Sequence, residues 1–363
     1  MKAREFNLGG YRLVICLGPG GGGKTTLSAA FALNAALAGR NVNVMTVDPA
    51  PRLLDALGIA GDATEPRDVP LDGFRARRGR LQAFRLDPKQ TFDHLVERYA
   101  PSETARDSIL NNRIYQNLSG ALAGVADYMA MERLLEIHRD PATNLVVLDT
   151  PPAQEAIDFL DAPRRMLDLL GSRAVTLLNV SRGLMRGPMA VFDLAARAVL
   201  TAFDRLTGLH LLADVQTFVR GFEGMYDGFA DRASQAQTLL RAEDSLIVVV
   251  TTAEPERVEQ AREFVVSLEE MGLRAGAVAV NRTLAPIAES AELETAAIPE
   301  ALKRKLLRNL ADFAALKRRE SVSIEALRES IPRETPLIVA PDLGREPRTL
   351  KDLAEIANAL RYT

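Results

Sequence analysis

Gly18-Pro19-Gly20-Gly21-Gly22-Gly23-Lys24-Thr25-Thr26 is a run whose residue types and spacing suit the holding of phosphate. It satisfies G-x-x-x-x-G-K-[ST]: the glycines let successive backbone N–H groups close around phosphate oxygens, Lys24 offers a cation to the β- and γ-phosphates, and the Thr25 hydroxyl is a magnesium ligand. The run follows the apolar stretch Tyr11–Leu17 and opens an amphipathic stretch, Thr25–Leu37, so a helix N-terminus adds its partial positive charge. Gly20, Gly21, Gly22, Gly23, Lys24, Thr25 and Thr26 are therefore the candidate nucleotide-binding residues, with ATP and Mg2+ as the expected ligands.

Two acids stand where they would complete such a site. Asp48 closes Thr46-Val47-Asp48-Pro49-Ala50, and a carboxylate at that strand end can orient or deprotonate an attacking water, which makes Asp48 and Lys24 the catalytic candidates. Asp149 closes Val147-Leu148-Asp149-Thr150-Pro151-Pro152, as expected of an acid that holds magnesium through water, with Thr25 as its companion ligand. Each acid alone also suits an N-cap or a turn, and the phosphate loop is what turns both into site candidates. After Ala277–Val280 comes Asn281-Arg282, where an amide can offer donor and acceptor to an adenine edge or simply form a turn.

These residues need a scaffold. Tyr11–Leu17, Val42–Val47, Leu145–Leu148, Leu246–Thr251, Ala277–Val280 and Leu337–Ala340 are short runs rich in Val, Ile and Leu, separated by helix-length segments. That alternation predicts an α/β fold, a mostly parallel sheet with helices on both faces. Two stretches break the rhythm, residues 91–138 and 181–240, and both carry helical spacing: Ile109, Ile114, Leu118, Leu122, Val125 and Met129 in the first, Phe192, Ala195, Val199, Phe203 and Leu206 in the second. The expectation is one ATPase domain over 1–363 with a helical subdomain inserted at those two places. Six of nine methionines lie between Met129 and Met225, so this subdomain either fills its own core with them or presents an adaptable groove for apolar helices.

Composition narrows the remaining choices. Lys plus Arg number 45 against 48 for Asp plus Glu, a formal charge of -3, which gives no global case for nucleic-acid binding. The single cysteine, Cys16, excludes a disulfide within the chain and reads as a core-facing strand residue. His94, His138 and His210 have no metal-ligand spacing, so no zinc site is expected. No signal-like N-terminus and no stretch of roughly 18 uncharged apolar residues is present. A soluble, cytoplasmic protein with only indirect membrane contact is the expectation.

The assembled strings resemble the arsenite-pump and tail-anchored-protein targeting ATPase family, within the deviant P-loop class that contains MinD and ParA, and hence a P-loop NTPase fold. The likeness rests on the glycine-rich loop, Asp48-Pro49-Ala50, Asp149-Thr150-Pro151-Pro152 and Asn281-Arg282. Asn112–Leu118, Tyr128–Glu132 and Leu160-Asp161-Ala162-Pro163 resemble its bacterial branch, the anion-transporting ATPase-like proteins. The resemblance implies a nucleotide-dependent dimer in which Asp48 assists water attack, Asp149 senses the γ-phosphate and helical subdomains open or close a hydrophobic groove for a helix client.

Three departures bear on that picture. Cys16 alone cannot build the cysteine site by which arsenite pumps bind metalloid, and the paired cysteines that clasp eukaryotic targeting dimers through zinc are absent. Pro19 stands where the deviant loop carries a lysine that reaches the partner subunit, and Arg52, which closely follows the first switch, suits either a replacement or a solvated surface charge. Function then divides among a targeting factor or chaperone for hydrophobic membrane-protein segments, a MinD- or ParA-like positioning switch, and a slowly hydrolysing regulatory subunit. The dimer is either a homodimer or a heterodimer with a related ATPase subunit. The C-terminal stretch Thr349–Thr363, with only Lys351 and Arg361 basic, is a poor lipid anchor for the second of these functions.

Overall fold

β-branched runs that are apolar at every position must be covered on both sides, and in this chain they form the middle of one sheet. The computed structural model describes residues 4–74, 79–118, 123–151, 154–171, 224–285 and 298–362. The chain divides into two compact units, one made of Met1–Arg85, Ile137–Ile157 and Arg241–Thr363, the other of Leu86–Glu136 and Asp158–Leu240.

The first unit contains a ten-stranded sheet in the order β1-β10-β9-β8-β7-β2-β6-β3-β5-β4. Its strands are β1 (Arg4–Glu5), β2 (Leu13–Leu17), β3 (Asn41–Thr46), β4 (Arg67–Asp68), β5 (Arg80–Arg85), β6 (Leu145–Asp149), β7 (Ser245–Thr252), β8 (Ala277–Thr283), β9 (Leu337–Pro341) and β10 (Arg361–Tyr362). From β9 to β5 every pairing is parallel, and the two-residue strands β1, β10 and β4 add antiparallel edges. All six apolar runs become strands of the parallel part. β5, with its half-buried Arg-Leu-Gln-Ala-Phe-Arg pattern, was not among them.

Alternate residues of these strands face opposite layers. Val14, Cys16, Val44 and Val147 pack with Leu27 and Phe31 of α1 (Lys24–Leu37) and with Leu353 near the C-terminus. On the other face, Val258, Ala261 and Phe264 are buried where the helix Pro255–Glu270 packs on β7. Helices thus cover both faces, and burial pushes the Cys16 thiol up to about 12, leaving it an inert core residue. Because the sheet is parallel, β2, β3, β6 and β8 bring their C-terminal ends to one edge, the edge at which ligands bind in open α/β sheets.

The second unit is helical where it is described. α2 (Arg52–Ala56) belongs to the first unit, while α3 (Pro88–Tyr99), α4 (Glu103–Leu110) and α5 (Arg113–Leu118) follow in the second. Asp87 and Ser102 cap α3 and α4 by accepting the N–H groups of Gln90 and Ala105. α6 (Ala123–Arg139), α7 (Gln154–Gly171) and α8 (Tyr226–Leu240) contribute the rest. Residues 172–223, which hold most of the second helical stretch read at 181–240, lie outside the described residues. Phe92, Ile109, Tyr115, Tyr128, Met129, Met225 and Phe229 form the unit's core, with Met166 packed against it, and Met131 is also buried. Met129 and Met225 therefore lie in the interior of their own unit, with Met166 half-buried against it.

That core contains a buried ion pair. Arg232 donates from Nε to Glu132 at 2.9 and 3.0 Å, with only 8% and 3% of the two side chains exposed. The Tyr128 hydroxyl also donates to Glu132, and the Arg232 guanidinium lies 4.1 Å from the Tyr99 ring centre. Glu132→Ala leaves a buried cation uncompensated and is expected to cost about 3 kcal/mol. Denaturant unfolding checks this, and an unchanged midpoint would show that the pair does not hold the unit together.

Candidate functional site

The loop after β2 has the geometry of a cradle. Gly18, Gly21 and Gly23 have φ of 139°, 78° and 87°, a region closed to side chains at ordinary cost. A Cβ on Gly18 would meet the Val250 carbonyl oxygen at 2.2 Å, so the loop's first glycine is fixed by contact as well as by conformation. Gly23 is the N-cap of α1, so the first N–H groups of that helix face the loop without intrahelical partners.

Lys24 is buried and folds back on the loop, its Nζ donating to the carbonyls of Gly18 at 3.0 Å and Pro19 at 3.3 Å. Burial pulls its pKa below the ordinary lysine range, while the carboxylates of Asp149 and Asp48 pull the other way. A desolvated ammonium held on two carbonyls is a cation in reserve for a stronger anion.

Asp149 ends β6, directly between β2 and β3, in register with Cys16 and Thr46. Its Oδ2 accepts from the Thr25 hydroxyl at 2.8 Å and the Thr46 hydroxyl at 3.1 Å. Its Oδ1 is buried and has no hydrogen-bond partner among the described residues. Burial pushes this carboxyl up to about 6, against the hydrogen bonds from Thr25 and Thr46 and the Lys24 charge. A buried, unpartnered carboxylate oxygen beside a hydroxyl is a hard oxygen set that fits magnesium or a water bound to it.

Asp48 lies just beyond β3 and lines the same cavity, of about 600 Å³, as Lys24 and Thr25. Its Oδ1 accepts the Ala50 N–H at 2.9 Å and its own N–H donates to Thr46 Oγ1 at 3.2 Å, so the switch-like segment is pinned at both ends of the residue. Oδ2 takes no hydrogen bond among the described residues. Gly20, Gly21, Gly23 and Thr26 line the cavity too, while Gly22 does not.

For Asn281, the candidate base contact, the structure shows bonds to the protein. The residue is buried, its Nδ2 donates to the Gly22 carbonyl at 3.0 Å, and its Oδ1 accepts the Arg282 N–H at 2.9 Å. Both ends of the amide are thereby used inside the protein, behind the loop. Arg282, with a φ of 55° the single non-glycine in the left-handed region among the described residues, lines the cavity instead.

Sequence reading missed three contributors. Thr46 holds Asp149, Arg348 joins Arg52 and Arg282 on the cavity wall, and Arg257 donates to the Gly20 carbonyl. Thr46 lies within Thr46-Val47-Asp48-Pro49-Ala50, but nothing in local spacing marks Arg348 or Arg257 as cavity or loop residues, and the Gly20 carbonyl that Arg257 meets is 237 residues away.

The family model described as anion-transporting ATPase matches residues 11–314. An ATPase GET3 of Malassezia globosa is 24% identical over 302 residues, 83% of this chain and 81% of its own length. An ATPase get3 of Aspergillus terreus is 26% identical, over 76% of this chain and 74% of its own length. An uncharacterized protein of Streptomyces coelicolor is 27% identical over 75% of this chain and 63% of its own length.

Proposed function

Because this chain belongs to the anion-transporting ATPase family, we propose that it is a cytoplasmic, dimeric switch that binds and hydrolyses Mg-ATP to capture and release hydrophobic segments of membrane proteins. The observation that carries the nucleotide part is the buried Asp149 Oδ1 without a partner, next to Thr25 and a Lys24 held in reserve by loop carbonyls. ATP entering the loop meets the N–H groups of Gly21 and Gly23, and Lys24 leaves the Gly18 and Pro19 carbonyls for the phosphates. Thr26 extends the helix N-terminus toward them. Asp48, tethered through Oδ1 and open at Oδ2, orients water for in-line attack on the γ-phosphate. Thr25 and Asp149 would hold magnesium, which would supply charge neutralisation to the phosphates.

The client part is supported by the family and by relatives that carry the name ATPase GET3. In this reading the ATPase is one domain over 1–363, with 91–138 and 181–240 as its inserted helical subdomain. Pro19 supplies neither charge nor N–H, so the dimer either manages without a lysine in trans or pairs with a lysine-bearing subunit. A regulatory subunit is the second reading, favoured by Met129 and Met225, which pack inward rather than lining a groove.

Fluorescence anisotropy of a labelled apolar helix peptide, with ATP, ADP or no nucleotide, separates the two. A targeting switch changes peptide affinity by about tenfold or more between nucleotide states, equivalent to a coupling of about 1.4 kcal/mol. No peptide binding in any state would overturn the client reading. Activity of the chain alone, without a lysine-bearing relative added, would exclude an obligate heterodimer.

A further inference from the structure

Four consecutive glycines, Gly20–Gly23, are the least ordered backbone a chain can present, because each loses more conformational freedom on folding than any other residue. A phosphate cradle needs the reverse, N–H groups already aimed to one side. In a trans peptide the C=O and the following N–H point to opposite sides of the chain, and no cis peptide occurs among the described residues. Holding a carbonyl from outside therefore aims the next N–H inward.

Two side chains from the later part of the chain do this. Arg257, in the first turn of α9 (Pro255–Glu270), donates a guanidinium N–H to the Gly20 carbonyl. Asn281, near the end of β8, donates Nδ2 to the Gly22 carbonyl at 3.0 Å. These are alternate carbonyls of the glycine run, and their peptide mates are the N–H groups of Gly21 and Gly23. Neither N–H has a hydrogen-bond partner among the described residues. Gly21 and Gly23 line the cavity, whereas Arg257 and Asn281 do not.

We infer that Arg257 and Asn281 are positioning residues, an outer clamp that sets the phosphate cradle before nucleotide arrives. Both arms are themselves held. The Arg257 carbonyl accepts the Thr251 hydroxyl at 2.9 Å, and its Nε lies 3.8 Å from Glu254. Asn281 is braced by the Arg282 N–H, on a residue whose left-handed φ of 55° is a cost the fold bears at this point. The fit is close: a Cβ on Gly23 would come within 2.0 Å of Asn281 Nδ2, and one on Gly21 within 3.3 Å of the Arg257 guanidinium. Arg257 also places a full positive charge on the loop at the residue after Pro19. Asn281 spends one Nδ2 hydrogen and an Oδ1 lone pair on the protein and does not line the cavity, so its contribution is placed in loop geometry and not in choice of base.

The clamp rests on the ATP reading only for its effect on nucleotide, so its test has two arms. In protein labelled with 15N-glycine and free of nucleotide, order parameters of Gly20–Gly23 are expected near about 0.85 in the wild type and below about 0.6 in Arg257→Gln and Asn281→Asp. Arg257→Lys, which keeps a charged donor, is expected to stay near the wild type. In the second arm, ATP and ADP affinity falls about tenfold in Arg257→Gln and Asn281→Asp, the loss expected for one charge-assisted or buried hydrogen bond, with the preference for ATP over GTP unchanged. Wild-type order parameters in both variants would overturn the clamp, as would equal loosening by Arg257→Lys and Arg257→Gln. A changed ATP-over-GTP preference in Asn281→Asp with a rigid loop would restore the base-contact role. A wild type that binds no ATP would defeat the nucleotide reading alone, leaving the order parameters to decide the clamp.

Discussion

Lys24→Ala is expected to lower ATP affinity by about a hundredfold or more, the effect of removing two charge-assisted hydrogen bonds to phosphate. The structure makes the loss twofold in origin. Lys24 is the buried cation of the cavity, and its Nζ also ties the carbonyls of Gly18 and Pro19 together at 3.0 and 3.3 Å. Alanine removes the charge and frees both carbonyls, so the entrance of the loop loses its brace as well. Folding should survive, because alanine suits the first position of α1 better than lysine does and the side chain's hydrogen bonds are all to the loop. Calorimetric titration with Mg-ATP measures the change, and equal affinity in the variant and the wild type would remove the phosphate-loop assignment.

Asp48→Asn is expected to behave in the opposite sense, keeping ATP bound while hydrolysis falls by about 10²- to 10⁴-fold. Asparagine preserves the shape and the Oδ1 acceptor that receives the Ala50 N–H at 2.9 Å, so the segment after β3 stays in place. What it lacks is the open carboxylate oxygen that orients or deprotonates water. Lys24, Thr25 and Asp149 are untouched, so ATP affinity should remain near that of the wild type. Undiminished turnover would transfer the role to another group on the cavity wall.

How much of this was legible in the residues depended on distance along the chain. The loop, Asp48 and Asp149 each sit in a contiguous string at a strand end, where an apolar run, a glycine cluster or a lone acid signals position and chemistry together. The parallel sheet followed from the same strings, and the likeness to arsenite-pump and targeting ATPases is now matched by the family over residues 11–314. β5 escaped because its exposed and half-buried arginines and glutamine interrupt the apolar signal, although Leu81, Ala83 and Phe84 are buried. The two-residue edge strands are shorter than any pattern can show. Arg257 and Asn281 meet the loop across 237 and 259 residues, and Glu132 meets Arg232 across 100, separations at which spacing carries no information. Asn281 was read as a base contact or a turn residue, and its bond to the Gly22 carbonyl was not legible, because an amide's donor and acceptor look the same whether they serve a ligand or a glycine carbonyl.

Single-turnover release of phosphate from γ-labelled ATP, with the protein in excess and magnesium present or withheld, tests the central claim most directly. The expected result is phosphate release by the wild type that depends on magnesium, is lost with binding in Lys24→Ala, and falls by about 10²-fold or more with ATP still bound in Asp48→Asn. ATP bound by the wild type without any phosphate release above background would contradict an ATP-hydrolysing switch at this site.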